Sequence, residues 1–289
     1  MAPFRLSLRS SPVRLALAVL GTVLVAAMSA ILWRRFDARP VHSDADPGIA
    51  ALLAPMEAGA GQAKHCFRVG QGSSRATVCR VDLSADRLQL FLQDEHGHVF
   101  GGFAALDAWL AQRGRTLGFA MNAGMFNPDY LPTGLFIADS GRSWPLNTAD
   151  GEGNFFLKPN GVLVVSNGVA RIVTTESEIR APVTLATQSG PLLLRSGVMH
   201  PAFRSDSSSR LIRNGVGVPA PGIALFAISD TPVNFYEFAS LFRDTLHCPD
   251  ALYLDGTVSS LHAPELDRSD HRVKLGPIVG VTLEIVRPR

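Results

Sequence analysis

The hydrophobic pattern divides the chain into two unlike parts. Leu15 to Leu32 is an uninterrupted run of 18 residues without a charge, preceded by Arg5, Arg9 and Arg14 and followed by Arg34 and Arg35. A basic flank ahead of an apolar stretch is the layout of an export signal, and this length is the lower limit for spanning a bilayer. Ala26, Ala27, Ser29 and Ala30 suit a signal peptidase, whereas the arginines after the run suit an uncleaved anchor better. Residues 1–36 are read as a signal or membrane anchor and 37–63, rich in Asp, Pro, Gly and Ala, as a linker. The expected location is periplasmic or otherwise extracytoplasmic, with residues 15–32 as the contact with the inner membrane. Residues 64–289 are expected to fold.

Beyond Lys64 the pattern changes to short apolar or alternating runs closed by turn residues, which predict strands. These are His65–Val69, Arg75–Leu83, Leu88–Gln93, Leu117–Met121, Gly134–Ala138, Asn154–Lys158, Val162–Ser166, Val169–Thr174, Val183–Thr187, Leu192–Arg195, Ile223–Ile228, Ala251–Leu254 and Ile278–Ile285. Asn160-Gly161 and Asn167-Gly168 fall between such runs, a hairpin signal that predicts an antiparallel meander at the centre. Two segments have helical spacing instead. Phe103–Arg113 places Phe103, Leu106, Leu110 and Ala111 on one stripe and stops at Gly114. The second opens on Thr231 as cap and Pro232 as first residue, repeats Phe235, Phe238, Ala239, Phe242 and Leu246, and ends at Pro249. Hairpin connections with few helices predict an α+β fold, mostly antiparallel β-sheet, in a single domain.

Composition is consistent with that picture and narrows the partners. Apolar residues make up 46% of the chain, ample for a core. The overall charge of +2 is misleading, because six arginines and one aspartate lie in the leader. The remainder carries 21 basic against 24 acidic residues, a formal charge of −3, and leaves no electrostatic footprint for nucleic acid. Cys66 and Cys79 lie on two predicted strands joined by Gly70-Gln71-Gly72-Ser73-Ser74. In an oxidising compartment a disulfide between them and three separate buried cysteines, Cys248 being the third, fit equally well. No Cys/His spacing suits a metal, and no EF-hand loop is present. No cofactor is therefore expected, calcium being the one ion such a site could take.

The strong catalytic signatures are absent: no G-x-S-x-G elbow, H-E-x-x-H, Walker A loop, or G-x-G-x-x-G following a strand. What remains is three strand ends rich in Gly, Asn and Ser: Met121 to Phe126, Ser209 to Gly217, and Leu252 to Ser260. Each alone reads first as turn chemistry. Together, glycine backbones that admit a ligand, hydroxyl donors and an arginine able to grip phosphate suit an anionic sugar derivative.

At these residues the chain resembles the phosphodiester glycosidase family. The motifs are Asn122-Ala123-Gly124-Met125-Phe126, Gln188-Ser189-Gly190-Pro191, Arg213-Asn214-Gly215-Val216-Gly217 and Asp255-Gly256-Thr257-Val258-Ser259-Ser260, in that order. Ala123, Thr257 and Val258 stand where the family pattern has glycine, which narrows the loops. The resemblance implies a hydrolase that cleaves the glycosidic bond of a sugar-1-phosphodiester in the cell envelope, acting on a phosphorylated sugar or glycan. It implies Asp255 as nucleophile or base, Arg213 as phosphate clamp with Arg210 as second choice, and Asn122, Ser259 and Ser260 on sugar or phosphate oxygens. Gly124, Gln188, Ser189, Gly190, Asn214, Gly217 and Gly256 would line the substrate. Asp230, Glu237 and Glu265 are further carboxylates near element ends. The rival reading is a non-catalytic envelope protein that binds exopolysaccharide or wall glycan in the same cleft. A third, a protein-interaction module, predicts an exposed apolar patch.

Overall fold

The computed structural model describes residues 64–70, 75–138, 141, 143–174, 179, 182–271 and 273–286. The apolar run 15–32 and the linker 37–63 lie outside them. No helix among the described residues is long and apolar enough to cross a membrane. The described residues group as one compact unit.

Among the described residues seventeen strands follow one another. They begin with β1 (Cys66–Val69), β2 (Ala76–Asp82), β3 (Leu88–Phe91), β4 (Arg115–Asn122), β5 (Phe136–Ile137) and β6 (Ser143–Trp144). Next come β7 (Gly161–Ser166), β8 (Val169–Val173), β9 (Leu185–Ser189), β10 (Leu192–Arg195), β11 (Val198–Met199) and β12 (Asn214–Ala220). The last are β13 (Ile223–Ser229), β14 (Asp250–Asp255), β15 (Leu261–Ala263), β16 (Arg268–Ser269) and β17 (Ile278–Glu284). They form a seven-stranded sheet in the order β1-β2-β13-β12-β14-β10-β11 and two five-stranded sheets, β16-β15-β4-β17-β3 and β6-β5-β9-β7-β8. The α+β, mainly antiparallel architecture read from the sequence is the one observed. One buried cluster draws Cys79, Phe119, Met121, Leu163, Leu192, Phe226, Leu252 and Val279 from all three sheets, so the sheets share a core.

Helix α1 (Phe103–Ala111) turns Phe103, Leu106 and Leu110 inward, with Gly114 at φ +71 just past its end. Helix α2 (Phe235–Ser240) starts later than predicted. Asn234 is the cap, in a reciprocal box with Glu237, and the helix continues as a π-turn over Leu241–Thr245. Thr231 and Pro232 precede Val233, which is held in a bridge to Leu211.

The centre also departs from a simple meander. Asn167-Gly168 is the expected tight turn, both residues having positive φ, and joins β7 to β8. Asn160-Gly161 is not a hairpin: Asn154–Phe156 is a short 3₁₀ turn, and Gly161 pairs with Ser189 because β9 returns beside β7.

Cys66 and Cys79 sit opposite each other on β1 and β2 and form a disulfide, leaving Cys248 a buried free thiol. The bridge spans 13 residues, a loop whose closure is worth about 3 kcal/mol to the fold. A Cys66→Ala/Cys79→Ala double variant should melt at a lower temperature than the oxidised protein and match it after reduction.

Candidate functional site

Four strand ends meet where the three sheets come together. Asn214 opens β12 directly opposite Asp255, the last residue of β14. Asn122 ends β4 in another sheet and exchanges two bonds with Asn214: its Nδ2 donates to Asn214 Oδ1 at 3.0 Å, and Asn214 Nδ2 donates to its carbonyl at 2.9 Å. From the third sheet, Ser189 Oγ donates to the Leu254 carbonyl at 2.9 Å and Thr187 Oγ1 to the Ala123 carbonyl at 2.6 Å. These groups are buried, so each bond is stronger than it would be in water and each would be expensive to break.

The loop after Asp255 folds around its carboxylate. Oδ1 accepts the N–H groups of Gly256 at 2.5 Å and Thr257 at 2.9 Å, with Val258 more distant at 3.4 Å. The single Ser259 Oγ–H has two acceptors in reach, the Asp255 carbonyl at 2.9 Å and Asn214 Oδ1 at 3.1 Å, and the Ser260 N–H donates to Asn122 Oδ1. Asp255 is 8% exposed. Burial pushes its pKa above the ordinary carboxylate value, against the pull of the loop N–H donors.

Two glycines are required by this packing. Gly124 has φ +134 and lies so close to the Gln188 carbonyl and Thr187 Oγ1 that a Cβ would stand 3.3 Å from each. At Gly256 a Cβ would overlap the Tyr253 hydroxyl. That hydroxyl accepts from Arg213 Nη1 at 3.0 Å. The rest of the Arg213 guanidinium donates to the carbonyls of Val233 and Ser209 at 2.9 Å each and lies 3.9 Å from the Phe235 ring. Arg213 is 0% exposed, and no carboxylate among the described residues pairs with it. Burial lowers its pKa and keeps the Tyr253 phenol protonated.

Beside the loop lies a cavity of about 350 Å³ lined by Gly256, Thr257, Ser259, Ser260, Asp230, Arg268 and Asp270, among others. Among the described residues no group of three or more His, Cys, Asp or Glu is placed to hold a metal ion.

The model of the phosphodiester glycosidase family matches residues 115–272, more than half the chain and a span containing all four strand ends. The chain belongs to the phosphodiester glycosidase family. It is 36% identical over 183 residues to the uncharacterised protein YigE of Escherichia coli (strain K12), covering 63% of this chain and 72% of that one. The fold is also that of the zebrafish N-acetylglucosamine-1-phosphodiester alpha-N-acetylglucosaminidase catalytic domain, whose structure is auto-inhibited by its pro-peptide. The TM-score is 0.52 at 13% identity, over 75% of this chain and 81% of that one.

Within this family member, Asn122, Gly124, Ser189, Asn214, Asp255, Gly256, Ser259 and Ser260 converge. Other residues expected at the site are placed differently. The Gln188 amide holds the backbone of Leu135 and Asn147, and Gly190 is packed against Asn160 and the Phe155 carbonyl. Gly217 is four residues along β12 from Arg213, against Cys248 and Phe242, outside the cluster. Arg210 pairs with Glu237 at the start of α2, 2.8 Å away. Arg213 lies beneath the loop rather than open to a ligand. Glu265 accepts the N–H groups of His65 and Cys66. Asp230 does not serve the α2 terminus; it pairs with Arg268 at 3.0 Å on the cavity wall. The loop is not strained at its departures from glycine: Thr257 and Val258 are absent from the positive-φ residues, and Val258 packs near α1. The Ala123 methyl is in the shared core. Arg268, Asp270 and Tyr253 were not singled out in the sequence. The alternation Arg268-Ser269-Asp270, opposite charges two residues apart at the end of a short run, is the signal that could have marked the first two.

Proposed function

We propose that the chain hydrolyses the anomeric C–O bond of a sugar-1-phosphodiester, outside the cytoplasm. The observation that carries this reading is the Asp255 carboxylate, buried at the meeting point of four strand ends with one oxygen fixed by loop N–H donors. Family membership supports the reaction class. The zebrafish protein of the same fold supports the bond type, since it is an N-acetylglucosamine-1-phosphodiester alpha-N-acetylglucosaminidase. The Cys66–Cys79 disulfide and the leader's layout support the compartment.

Water adds to C1, the C1–O bond breaks, and its electron pair leaves on the phosphate monoester. That leaving group departs as a stable anion, so less help from a general acid is needed than with an ordinary glycoside. One carboxylate then suffices: Asp255 takes the proton of the attacking water, or attacks C1 itself to give a glycosyl ester that water then hydrolyses, freeing the sugar and the carboxylate. Arg213 acts at one remove. Its guanidinium, without a carboxylate partner among the described residues, places a positive charge under Gly256, where it favours an anionic substrate through the low-dielectric interior.

The test is incubation of the full chain with a panel of sugar-1-phosphodiesters in ¹⁸O-labelled water. Label in the released sugar and none in the phosphate monoester is the expected result. Label in the phosphate would mean P–O cleavage and a different enzyme. Binding without turnover across the panel would mean a glycan-binding member of the family.

A further inference from the structure

We propose that the cavity beside the Asp255 loop is the site for the uncharged sugar of the substrate, held by Arg268 and the two carboxylates that flank it; this rests on the glycosidase reading above. Arg268 Nη1 donates to Asp230 Oδ1 at 3.0 Å, and its Nη2 donates to Asp270 Oδ2 at 2.9 Å. Thr77 on β2 donates to the same Asp230 oxygen, and the Leu261 N–H to the same Asp270 oxygen. The group therefore ties β2 and the end of β13, in the seven-stranded sheet, to β15 and β16, in a five-stranded one. Its geometry is fixed before any ligand arrives, which reduces the ordering needed on binding.

Charge decides which end of the substrate this wall accepts. On the Arg268 side of the cavity two carboxylates stand against one guanidinium, so a phosphate is repelled there and is favoured instead on the Gly256 side, above Arg213. Sugar hydroxyls are not. They donate to carboxylate oxygens and accept from guanidinium N–H groups, and planar forked side chains engage adjacent hydroxyls in pairs. Gly256 and Ser259, which also line the cavity, belong to the loop that carries Asp255, so a sugar in this cavity lies beside that loop. At about 350 Å³ the cavity has room for a sugar ring and its hydration.

The test uses the full chain, saturation-transfer NMR with methyl glycosides of glucose, galactose, mannose and N-acetylglucosamine, and inorganic phosphate as competitor. At least one glycoside should give a signal that excess phosphate leaves unchanged. Arg268→Lys, which keeps the charge and loses the fork, and Asp270→Asn, which keeps the shape, should each abolish it. For a diester that is turned over, each should raise KM roughly tenfold or more while kcat stays within about twofold. Displacement of the glycoside by phosphate, or retention of its signal in both folded variants, overturns the proposal. Turnover with KM unchanged in both variants removes the sugar site and leaves the glycosidase reading. A glycoside signal lost in both variants, without turnover of any diester, keeps the site and removes that reading.

Discussion

Asp255→Asn is expected to abolish turnover and at the same time to raise the melting temperature at neutral pH. The two effects have one origin. Burial raises the Asp255 pKa above its ordinary 3.8, so the fold disfavours the ionised carboxylate that the chemistry requires. A carboxylate whose pKa is raised on folding adds its stability below the unfolded value and loses it as pH rises through the folded one. At neutral pH the ionised group therefore destabilises the protein, and asparagine removes the charge while its Oδ1 still accepts from Gly256 and Thr257. Loss of the nucleophile or base should lower kcat by about 10³-fold or more. In the wild type, activity should fall as pH drops through the raised pKa. The melting temperatures of the two proteins should converge below pH 3.8. A variant less stable than wild type at neutral pH would show that the loop N–H donors outweigh burial. A variant that keeps most of its activity would remove Asp255 from the chemistry.

The fold was legible where a local pattern has a single structural meaning. Phe103, Leu106 and Leu110 can share one face only as a helix, and α1 is there. Asn167-Gly168 has the two left-handed positions a tight hairpin needs. Legibility fails where one residue type serves two purposes. Gly161 looks like the second half of a turn, yet it is small because a Cβ would stand 2.7 Å from a Leu192 methyl carbon. Phe155 and Phe156 suggest a strand, but burying one ring needs no period of two, and the 3₁₀ turn buries Phe155 alone. Thr231-Pro232 and Asn234 to Glu237 are both valid helix starts. The second prevails because Val233 is already held by Leu211.

At the site, the motifs were readable one by one while their convergence was not. Asn122 and Asn214 are 92 residues apart, and their mutual bonds follow from how two sheets pack, which no spacing along the chain encodes. The same holds for Arg268: its neighbours Asp230 and Thr77 come from strands distant in sequence.

Arg213 shows the difference most sharply, and its replacement is the second large effect. An arginine on a phosphate would sit in the open, and Arg213→Lys would then raise KM while leaving stability nearly unchanged. The structure predicts the reverse. Its guanidinium is enclosed by the Phe235 ring, the Tyr253 hydroxyl and two carbonyls. Arg213→Ala leaves those acceptors unpaired around a void and should cost about 3–5 kcal/mol. A lysine can neither lie flat on Phe235 nor reach three acceptors in one plane, so Arg213→Lys should also melt earlier. Because Gly256 is packed closely against the Tyr253 hydroxyl, displacement of Tyr253 should shift the loop that fixes the Asp255 carboxylate. Arg213→Lys should therefore lose kcat with KM little changed, the mark of a positioning residue. Raised KM in a protein of unaltered melting temperature would instead put the guanidinium on the substrate and require the Phe235 and Tyr253 cage to open when it binds.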